Sequence, residues 1–259
     1  FTLTIEAGRT VETTGGSIAI LAYGDNQTIT NNGGTILVSN SSNDNGIKVQ
    51  GDTFILDNNI NGTIQAPSYA VNVSGDSATI TNSGTIFGTT LRAIYSNSTG
   101  HTITNESDGT IKAGEDDETN GWNANDKLAV ELHADAEDLI LNNYGTINSG
   151  INTVKTESTG MILTNYSGGT ISAQTGGSTY KAIFVDGNDN IIKNYGTISA
   201  AGDTDSIKVG SGVTGTKIYV DGAPTFIGEI ELTDSTVAAN TTMYLGCSMT
   251  QDTTIEIHN

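Results

Sequence analysis

The sequence repeats one short phrase. "NNYGTI" at Asn142–Ile147 returns as "KNYGTI" at Lys193–Ile198, and "TNYSGGTI" stands between the two. Gly-Thr-Ile itself occurs seven times, ending at Ile36, Ile64, Ile86, Ile111, Ile147, Ile171 and Ile198, and a Gly-Glu-Ile variant ends at Ile230. The eight endings are separated by 22 to 36 residues. A motif that recurs at uneven intervals indicates stacked units joined by loops of different length, and it does not suit a repeat of fixed length.

Each unit carries two further apolar stations. An apolar-x-Asn triplet precedes every Gly-Thr-Ile, and its asparagines are Asn31, Asn58, Asn82, Asn105, Asn143, Asn165 and Asn194. A third station lies earlier in each unit, at Ile18, Ile47, Val71, Ile94, Val130, Val154, Ile183 and Ile207. The distance from this station to the end of the Gly-Thr-Ile motif is 15 to 18 residues in seven units and 23 in the last. The distance from the motif to the next station varies more, from 7 to 19 residues. Three short strands with two fixed corners and one permissive corner would produce this pattern.

These stations predict an all-β fold, a right-handed parallel β-helix (β-solenoid) of about eight three-stranded coils with atypical capping ends. Apolar residues recur at every second position, as at Ile47 and Val49, which is the period of a strand and not of a helix. Terminal coils must be atypical because an open end exposes unpaired backbone. We therefore divide the chain into an N-terminal cap or strand (1–16), the β-helix (17–230) and a C-terminal cap or inter-subunit strand region (231–259).

The composition excludes several classes of partner. Ten basic residues stand against 29 acidic ones, and the net charge is −19. A charge of this sign repels phosphate backbones and anionic lipids, so we expect neither nucleic-acid nor membrane-surface binding. No apolar run reaches about 18 residues, so we expect no membrane insertion. Cys247 is the single cysteine, and no intrachain disulfide can form.

The stretch "ATITNSGTIFGTTLRAIYSNSTGHTITNESDGTI" (Ala78–Ile111) resembles the repeats of bacterial autotransporter (type V secretion) passenger domains. The resemblance covers about Ser17 to Ile230. It implies a β-helical passenger that is secreted across two membranes and is displayed on the cell surface or released. The family's C-terminal translocator barrel has no counterpart after Ile230, and we expect a processed passenger or a related solenoid exported by another route.

The seven triplet asparagines are expected to form a structural ladder, stacked in left-handed corners and hydrogen-bonded to one another and to neighbouring backbone. Tyr144, Tyr166 and Tyr195 follow the ladder asparagine in three consecutive units. We expect their rings to stack on the outside of one corner. Two roles stay open for them, an aromatic ladder that stiffens the rod and a strip that binds a carbohydrate or protein partner.

The longest insertion, "KAGEDDETNGWNANDK" (Lys112–Lys127), contains the only tryptophan, Trp122. Long loops on rigid scaffolds often carry function, so Trp122 is a candidate contact residue. Four carboxylates, Glu115, Asp116, Asp117 and Glu118, precede it. We expect a solvated acidic loop without a cofactor. The alternative of a Ca²⁺ site stays open, although the spacing of an EF-hand or a nonapeptide Ca²⁺ repeat is missing.

Catalytic motifs are scarce, and we expect no enzyme. Gly-x-Ser-x-Gly does not occur, and His101, His133 and His258 lack metal-ligand spacing. Polyuronide lyases share the predicted fold and need cationic groups beside an acidic sugar. Here the only two arginines, Arg9 and Arg92, are far apart in the sequence of a strongly acidic chain. A glycosidase with paired carboxylates stays open as the enzymatic alternative, because Asp and Glu are plentiful.

The favoured function is that of an extracellular, self-associating structural solenoid, with end-to-end filaments or rod-to-rod contacts. The termini suggest the end-to-end version, because residues 2–6 ("TLTIE") and 254–257 ("TIEI") alternate as strands do. The candidate association residues are Thr2, Leu3, Thr4, Ile5, Thr254, Ile255, Glu256 and Ile257, which could add to the open coil of another copy. The alternative is an adhesin that binds surface glycans or host proteins through the tyrosines or Trp122.

Overall fold

The computed structural model describes residues 1–15, 17–39, 44–114, 127–174, 180–201, 204–222, 224–233, 235–246 and 255–257. Within them the chain forms a parallel β-solenoid of about nine coils. The first three coils contain β1 (Thr2–Glu6), β2 (Thr10–Thr13), β3 (Ile18–Ala22), β4 (Thr28–Asn32), β5 (Thr35–Val38), β6 (Asn45–Val49), β7 (Ile55–Asn58), β8 (Thr63–Ala66) and β9 (Tyr69–Val73). The next three contain β10 (Thr79–Asn82), β11 (Thr85–Gly88), β12 (Arg92–Ser96), β13 (Thr102–Asn105), β14 (Thr110–Ala113), β15 (Leu128–Leu132), β16 (Ile140–Asn143), β17 (Thr146–Ser149) and β18 (Asn152–Thr156).

The last three full coils contain β19 (Ile162–Asn165), β20 (Thr170–Ala173), β21 (Lys181–Val185), β22 (Ile191–Asn194), β23 (Thr197–Ala200), β24 (Asp205–Val209), β25 (Lys217–Val220), β26 (Thr225–Ile227) and β27 (Glu229–Leu232). A short helix, α1 (Ser235–Asn240), and the strands β28 (Thr242–Leu245) and β29 (Ile255–Ile257) follow. The first, second and third strands of successive coils stack into three parallel sheets, here named A, B and C, of ten, nine and ten strands.

The core is built from three apolar columns, one from each sheet, and this arrangement confirms the predicted fold class. In β16, Leu141 and Asn143 are buried while Ile140 and Asn142 face outward, and the same alternation runs through most strands. The Gly-Thr-Ile isoleucines from Ile36 to Ile198 form the column of sheet B, and each is fully buried. Each buried side chain of this kind contributes roughly 1.5–3 kcal/mol relative to an exposed one.

The insertions gather at one corner. Residues 40–43, 115–126, 175–179 and 202–203, which lie outside the described ranges, each connect a strand of sheet B to the next strand of sheet C. The connections between sheets A and B are short and nearly uniform, with two to four residues in every coil. The corner between sheets B and C is thus the permissive one that the station spacing predicts.

The predicted count of about eight coils is one too low. Residues 2–13 form two strands of a complete first coil, since β1 pairs in register with β4 and β2 with β5. At the other end, the Gly-Glu-Ile copy is misassigned, because Ile230 pairs with Ile207 in sheet C. The ninth residue of the sheet B column is Phe226, which pairs with Ile198. Phenylalanine occupies the isoleucine position in this coil, so the Gly-Thr-Ile motif is absent from this part of the sequence.

The first station is also displaced. Ile18 pairs with Asn45, and Ile20 is the residue that pairs with Ile47. Ile20 is buried and Ile18 is half-buried. A shift of two residues keeps every side chain on the same face of a strand, so alternation alone cannot detect it.

The region after residue 230 continues the solenoid for as far as it is described. β28 pairs with β25 in sheet A, and β29 pairs with β27 in sheet C. Helix α1 lies between β27 and β28, and Val237 on it is fully buried within the main hydrophobic core. The described part of the predicted cap therefore extends two sheets and places one helix against their end.

Candidate functional site

The seven ladder asparagines form one continuous column inside the solenoid. Each lies at or next to the end of a strand of sheet A and is at most 1% exposed. The Nδ2 of each asparagine donates to the Oδ1 of the next, over six hydrogen bonds of 2.7 to 2.9 Å that run from Asn31 to Asn194. The same Nδ2 groups also reach carbonyls of the following Gly-Thr-Ile segments, as between Asn143 and Thr170 at 3.2 Å. The column joins each coil to the next and secures the corner between sheets A and B.

The expected left-handed conformation of these asparagines is wrong, because none of the seven has a positive φ. Their side chains lie inside the solenoid because each asparagine follows the core leucine or isoleucine of its strand by two residues and so lies on the same face. The column stops at Asn194, because Val220 takes the equivalent place in β25. Among the residues that the structure describes, Nδ2 of Asn194 has no acceptor, although it is buried.

The structure brings Tyr144, Tyr166 and Tyr195 together on the outer surface of this same corner. The rings of Tyr144 and Tyr166 are parallel within 8°, with centroids 4.1 Å apart, and Tyr195 follows at 6.5 Å and 29°. The backbone N–H of each tyrosine donates to the carbonyl of a ladder asparagine in the preceding coil. A hydrogen bond with Tyr166 raises the pKa of the Tyr144 hydroxyl. This aromatic strip presents polar hydroxyls and one exposed ring to solvent.

A second outward feature, not found from the sequence, lies on sheet A. Ile140, Ile162 and Ile191 occupy the first position of three consecutive strands and form a row that is half-exposed to exposed. Farther along the sheet, the rings of Tyr219 and Tyr244 stack at 4.4 Å and 5°. We call these five residues the sheet A apolar row. The isoleucines share the first strand position and the tyrosines the third. This register was the available signal, but it requires the correct pairing of strands whose first residues are 22 to 29 positions apart.

The outward face of sheet C is highly charged. Arg92 pairs with Glu131 and lies over Tyr69 and Tyr95, and Lys208 pairs with Glu231 at 2.5 Å. Five of the ten basic residues of the chain stand on strands of this sheet: Lys48, Arg92, Lys155, Lys181 and Lys208. The surface is therefore nearly balanced in charge, within a chain that is strongly acidic.

Asp205 and Glu231 on sheet C form a carboxyl pair, which is relevant to the glycosidase alternative. Burial, followed by the hydrogen bond and charge of Glu231, raises the pKa of Asp205 to about 7. The two carboxyls can thus share a proton near neutral pH. Because they hydrogen-bond directly, they lie closer together than the roughly 5 Å or more that separates the two carboxylates of a glycosidase. This pair does not have the geometry of the glycosidase that stayed open from the sequence.

His101 is a titratable group inside the rod. It is 2% exposed, and its Nδ1 accepts a hydrogen bond of 3.0 Å from the backbone N–H of Ala78. Burial lowers the pKa of this imidazole from 6.5 to about 4, and the nearby charge of Asp76 only partly opposes the effect. The neutral ring is therefore the form that the folded chain accommodates.

We predict that His101 makes the rod sensitive to acid. The unfolded chain takes up the proton near pH 6.5 and the folded chain only near pH 4. Stability is then complete above pH 6.5 and is lost as the pH falls toward 4, by up to about 3 kcal/mol. In urea unfolding at pH 7, 5.5 and 4.5, His101→Leu should lose less stability on acidification than the parent chain. Leucine occupies this place in the next coil, at Leu139. Equal losses in the two proteins would contradict the prediction.

Some candidate residues lie outside the described ranges. These are Trp122, the four carboxylates Glu115, Asp116, Asp117 and Glu118, and Thr254. In the part of the chain that the structure describes, no group of three or more His, Cys, Asp or Glu residues is placed to hold a metal ion. No described helix is long and apolar enough to cross a membrane.

Comparison with known proteins finds no match: no protein-family model, no curated protein and no solved structure is similar to this chain. The parallel β-solenoid is thus established by its own geometry. No relative supports the autotransporter resemblance.

Proposed function

We propose that this chain is a non-enzymatic structural rod that associates side by side with further copies of itself through sheet A. The observation that carries the proposal is the sheet A apolar row. Ile140, Ile162 and Ile191 stand at the first position of three neighbouring strands, and Tyr219 and Tyr244 stand at the third position of the next two. Ile140 is 38% exposed and Tyr244 is 44% exposed. Exposed apolar side chains that gather on one face of a sheet mark a surface that another molecule can cover.

The charge on this face favours a second copy as the occupant. Along sheet A from β10 to β28, the outward positions hold Lys193 and Lys217 and no carboxylate. The chain as a whole carries −19. The face is therefore an uncharged to basic stripe on an acidic rod, and a second copy can approach it without the repulsion that other faces would cause.

We place this rod outside the cell, as a secreted or surface-displayed protein of the autotransporter-passenger type. The resemblance of Ala78–Ile111 to such repeats supports the assignment, as does the solenoid architecture with its repeated Asn and Gly-Thr-Ile columns. The end-to-end version through the terminal strands is a separate proposal. It is supported by the pairing of β1 and β29 as the outermost strands of their sheets.

The apolar row predicts the result of a threonine replacement. Threonine already occupies the row's first position in β10 and β13, so Ile140→Thr/Ile162→Thr/Ile191→Thr should leave the rod folded. We expect sedimentation velocity at 150 mM salt to show association of the parent chain and at least roughly tenfold weaker association of the variant. Thr79→Ile/Thr102→Ile, which lengthens the row, should strengthen it. Low salt should weaken all association, because screening of the negative charge is lost.

An unchanged sedimentation profile for the triple threonine variant would contradict the side-by-side contact. Far-UV circular dichroism and thermal unfolding, measured on the same samples, establish that the variant is folded. A parent chain that is monomeric at every concentration and salt would contradict self-association through this face altogether.

A second candidate function, an adhesin, is favoured by the aromatic strip. The rings of Tyr144 and Tyr166 stack on each other and carry hydroxyls, which suits contact with sugars or proteins. Tyr144→Ala/Tyr166→Ala separates the two functions in one set of samples. It leaves self-association unchanged, and it lowers retention on immobilised cell-surface glycans only if the strip is the binding surface.

A further inference from the structure

A groove follows the outer surface of sheet B, close to the permissive corner. The fourth positions of its strands carry small residues, among them Ala113, Ala173 and Ala200. Two hollows of about 300 Å³ and about 530 Å³ lie over this column. Gln174 lines both hollows, so the two lie next to each other along the long axis of the rod, and we treat them together as one groove.

The third positions of six consecutive strands form one side of this groove. They are Phe87, Lys112, Asn148, Ser172, Ser199 and Ile227, paired in register. Five steps at a strand spacing of about 4.8 Å give a length of about 24 Å. The groove is thus long and open to solvent, and it suits an extended polymer better than a compact ligand.

The walls offer hydrogen bonds that the protein itself does not use. Within the described residues, the side-chain amides of Asn148 and Gln174 have no hydrogen-bond partner. Nζ of Lys112 lies 4.4 Å from the centre of the Phe87 ring and pairs with no described carboxylate. Amide groups that donate and accept at once, beside an aromatic ring, match the hydroxyls and the C–H faces of sugars.

We propose that this groove binds a neutral, linear polysaccharide lying along the rod. A peptide that binds by β-augmentation needs a free sheet edge, but the backbone of the strands beneath the groove is paired to the coils on both sides. An acidic polymer would meet a chain of charge −19 with only Lys112 to attract it. A neutral chain of hydroxyl-bearing rings avoids that repulsion and uses the free amides.

Affinity electrophoresis through gels that contain soluble linear glucan, linear mannan or polygalacturonate tests the proposal on the whole chain. We expect at least one neutral polymer to retard the parent protein and polygalacturonate to retard it less. Asn148→Ala/Gln174→Ala should weaken binding at least tenfold. Gln65→Ala is the matched control, because Gln65 pairs with Phe87 in the same column but lies outside both hollows. Its binding should stay within twofold of the parent.

Ser172→Phe provides a second variant that obstructs the groove without removing a hydrogen bond from the core. The same column already accepts phenylalanine at Phe87, so the strand tolerates this side chain. Loss of retardation in Ser172→Phe supports the groove. Absence of binding to both neutral polymers, tighter binding of polygalacturonate, or undiminished binding by Asn148→Ala/Gln174→Ala would each overturn the proposal. None of these results depends on whether the rods associate through sheet A.

Discussion

Asn143→Ala is expected to lower the free energy of unfolding by about 3 kcal/mol, whereas Asn142→Ala, one residue earlier, should change it by less than about 0.5 kcal/mol. The two asparagines are adjacent in β16 and face opposite ways. Asn143 is fully buried, and Asn142 is half-exposed on the outer face of sheet A. The pair therefore compares one residue type in one strand, inside and outside the solenoid.

The large effect arises from the groups that Asn143 leaves without partners. Its Oδ1 accepts from Asn105 at 2.9 Å, and its Nδ2 donates to Asn165 at 2.8 Å and to the carbonyl of Thr170 at 3.2 Å. An alanine cannot replace these bonds, and water has no access to the interior. Each buried polar group that loses its partner costs about 1–3 kcal/mol, although Asn105 keeps backbone acceptors.

Urea unfolding monitored by circular dichroism measures both variants, with the midpoint and the slope fitted separately. If Asn143→Ala were as stable as Asn142→Ala, the asparagine column would contribute nothing beyond the backbone ladders. A changed slope in Asn143→Ala alone would indicate that the rod unfolds in parts, as repeat proteins can.

Gly169→Ala is expected to destabilise the rod by about 3 kcal/mol or more, against about 1 kcal/mol for Gly168→Ala. The two glycines are neighbours in "TNYSGGTI". A Cβ at Gly169 would lie 2.5 Å from the carbonyl oxygen of Asn143 and 2.6 Å from Oδ1 of Asn165. Both atoms belong to the hydrogen-bonded corner, so neither can move without breaking the contact between coils.

Gly168 shows the second reason why a position requires glycine, which is a left-handed backbone conformation. Its φ is +88°, and no atom lies within 4 Å of a Cβ added there. Alanine at that position therefore carries only the cost of the left-handed backbone. Thermal and urea unfolding of the two variants measure the difference. Equal destabilisation would mean that the preceding coil yields to the added Cβ at little cost, because Gly169 itself has no positive φ.

Interior residues were the most predictable part of this protein. Leu141, Asn143 and Ile147 recur with the same parity and order in coil after coil, and a strand has only two faces. Predictions failed where a chemically different residue took an inside place, as Phe226 does for isoleucine, or where a two-residue shift preserved parity, as at Ile18 and Ile20.

Outward residues were predictable only where they touch the repeated motif. Tyr144, Tyr166 and Tyr195 directly follow the ladder asparagine, so their neighbourhood on one corner could be read from the sequence. Ile140 and Ile162, or Lys112 and Asn148, stand at positions where the recurring motif does not specify a residue. Their proximity depends on which strands pair and on how many residues each loop contains.

The sequence by itself determined the parallel solenoid, its three apolar columns and its asparagine ladder, because the interior must be packed in the same way in every coil and admits few residue types. That the asparagines lie inside the solenoid came from the structure. Only the tertiary structure decided the number of coils, the sheet A apolar row and the groove on sheet B. Solvent accepts many side chains at outward positions, so no pattern marks them. Their chemistry appears only when stacking brings residues from different coils to within about 5 Å of one another.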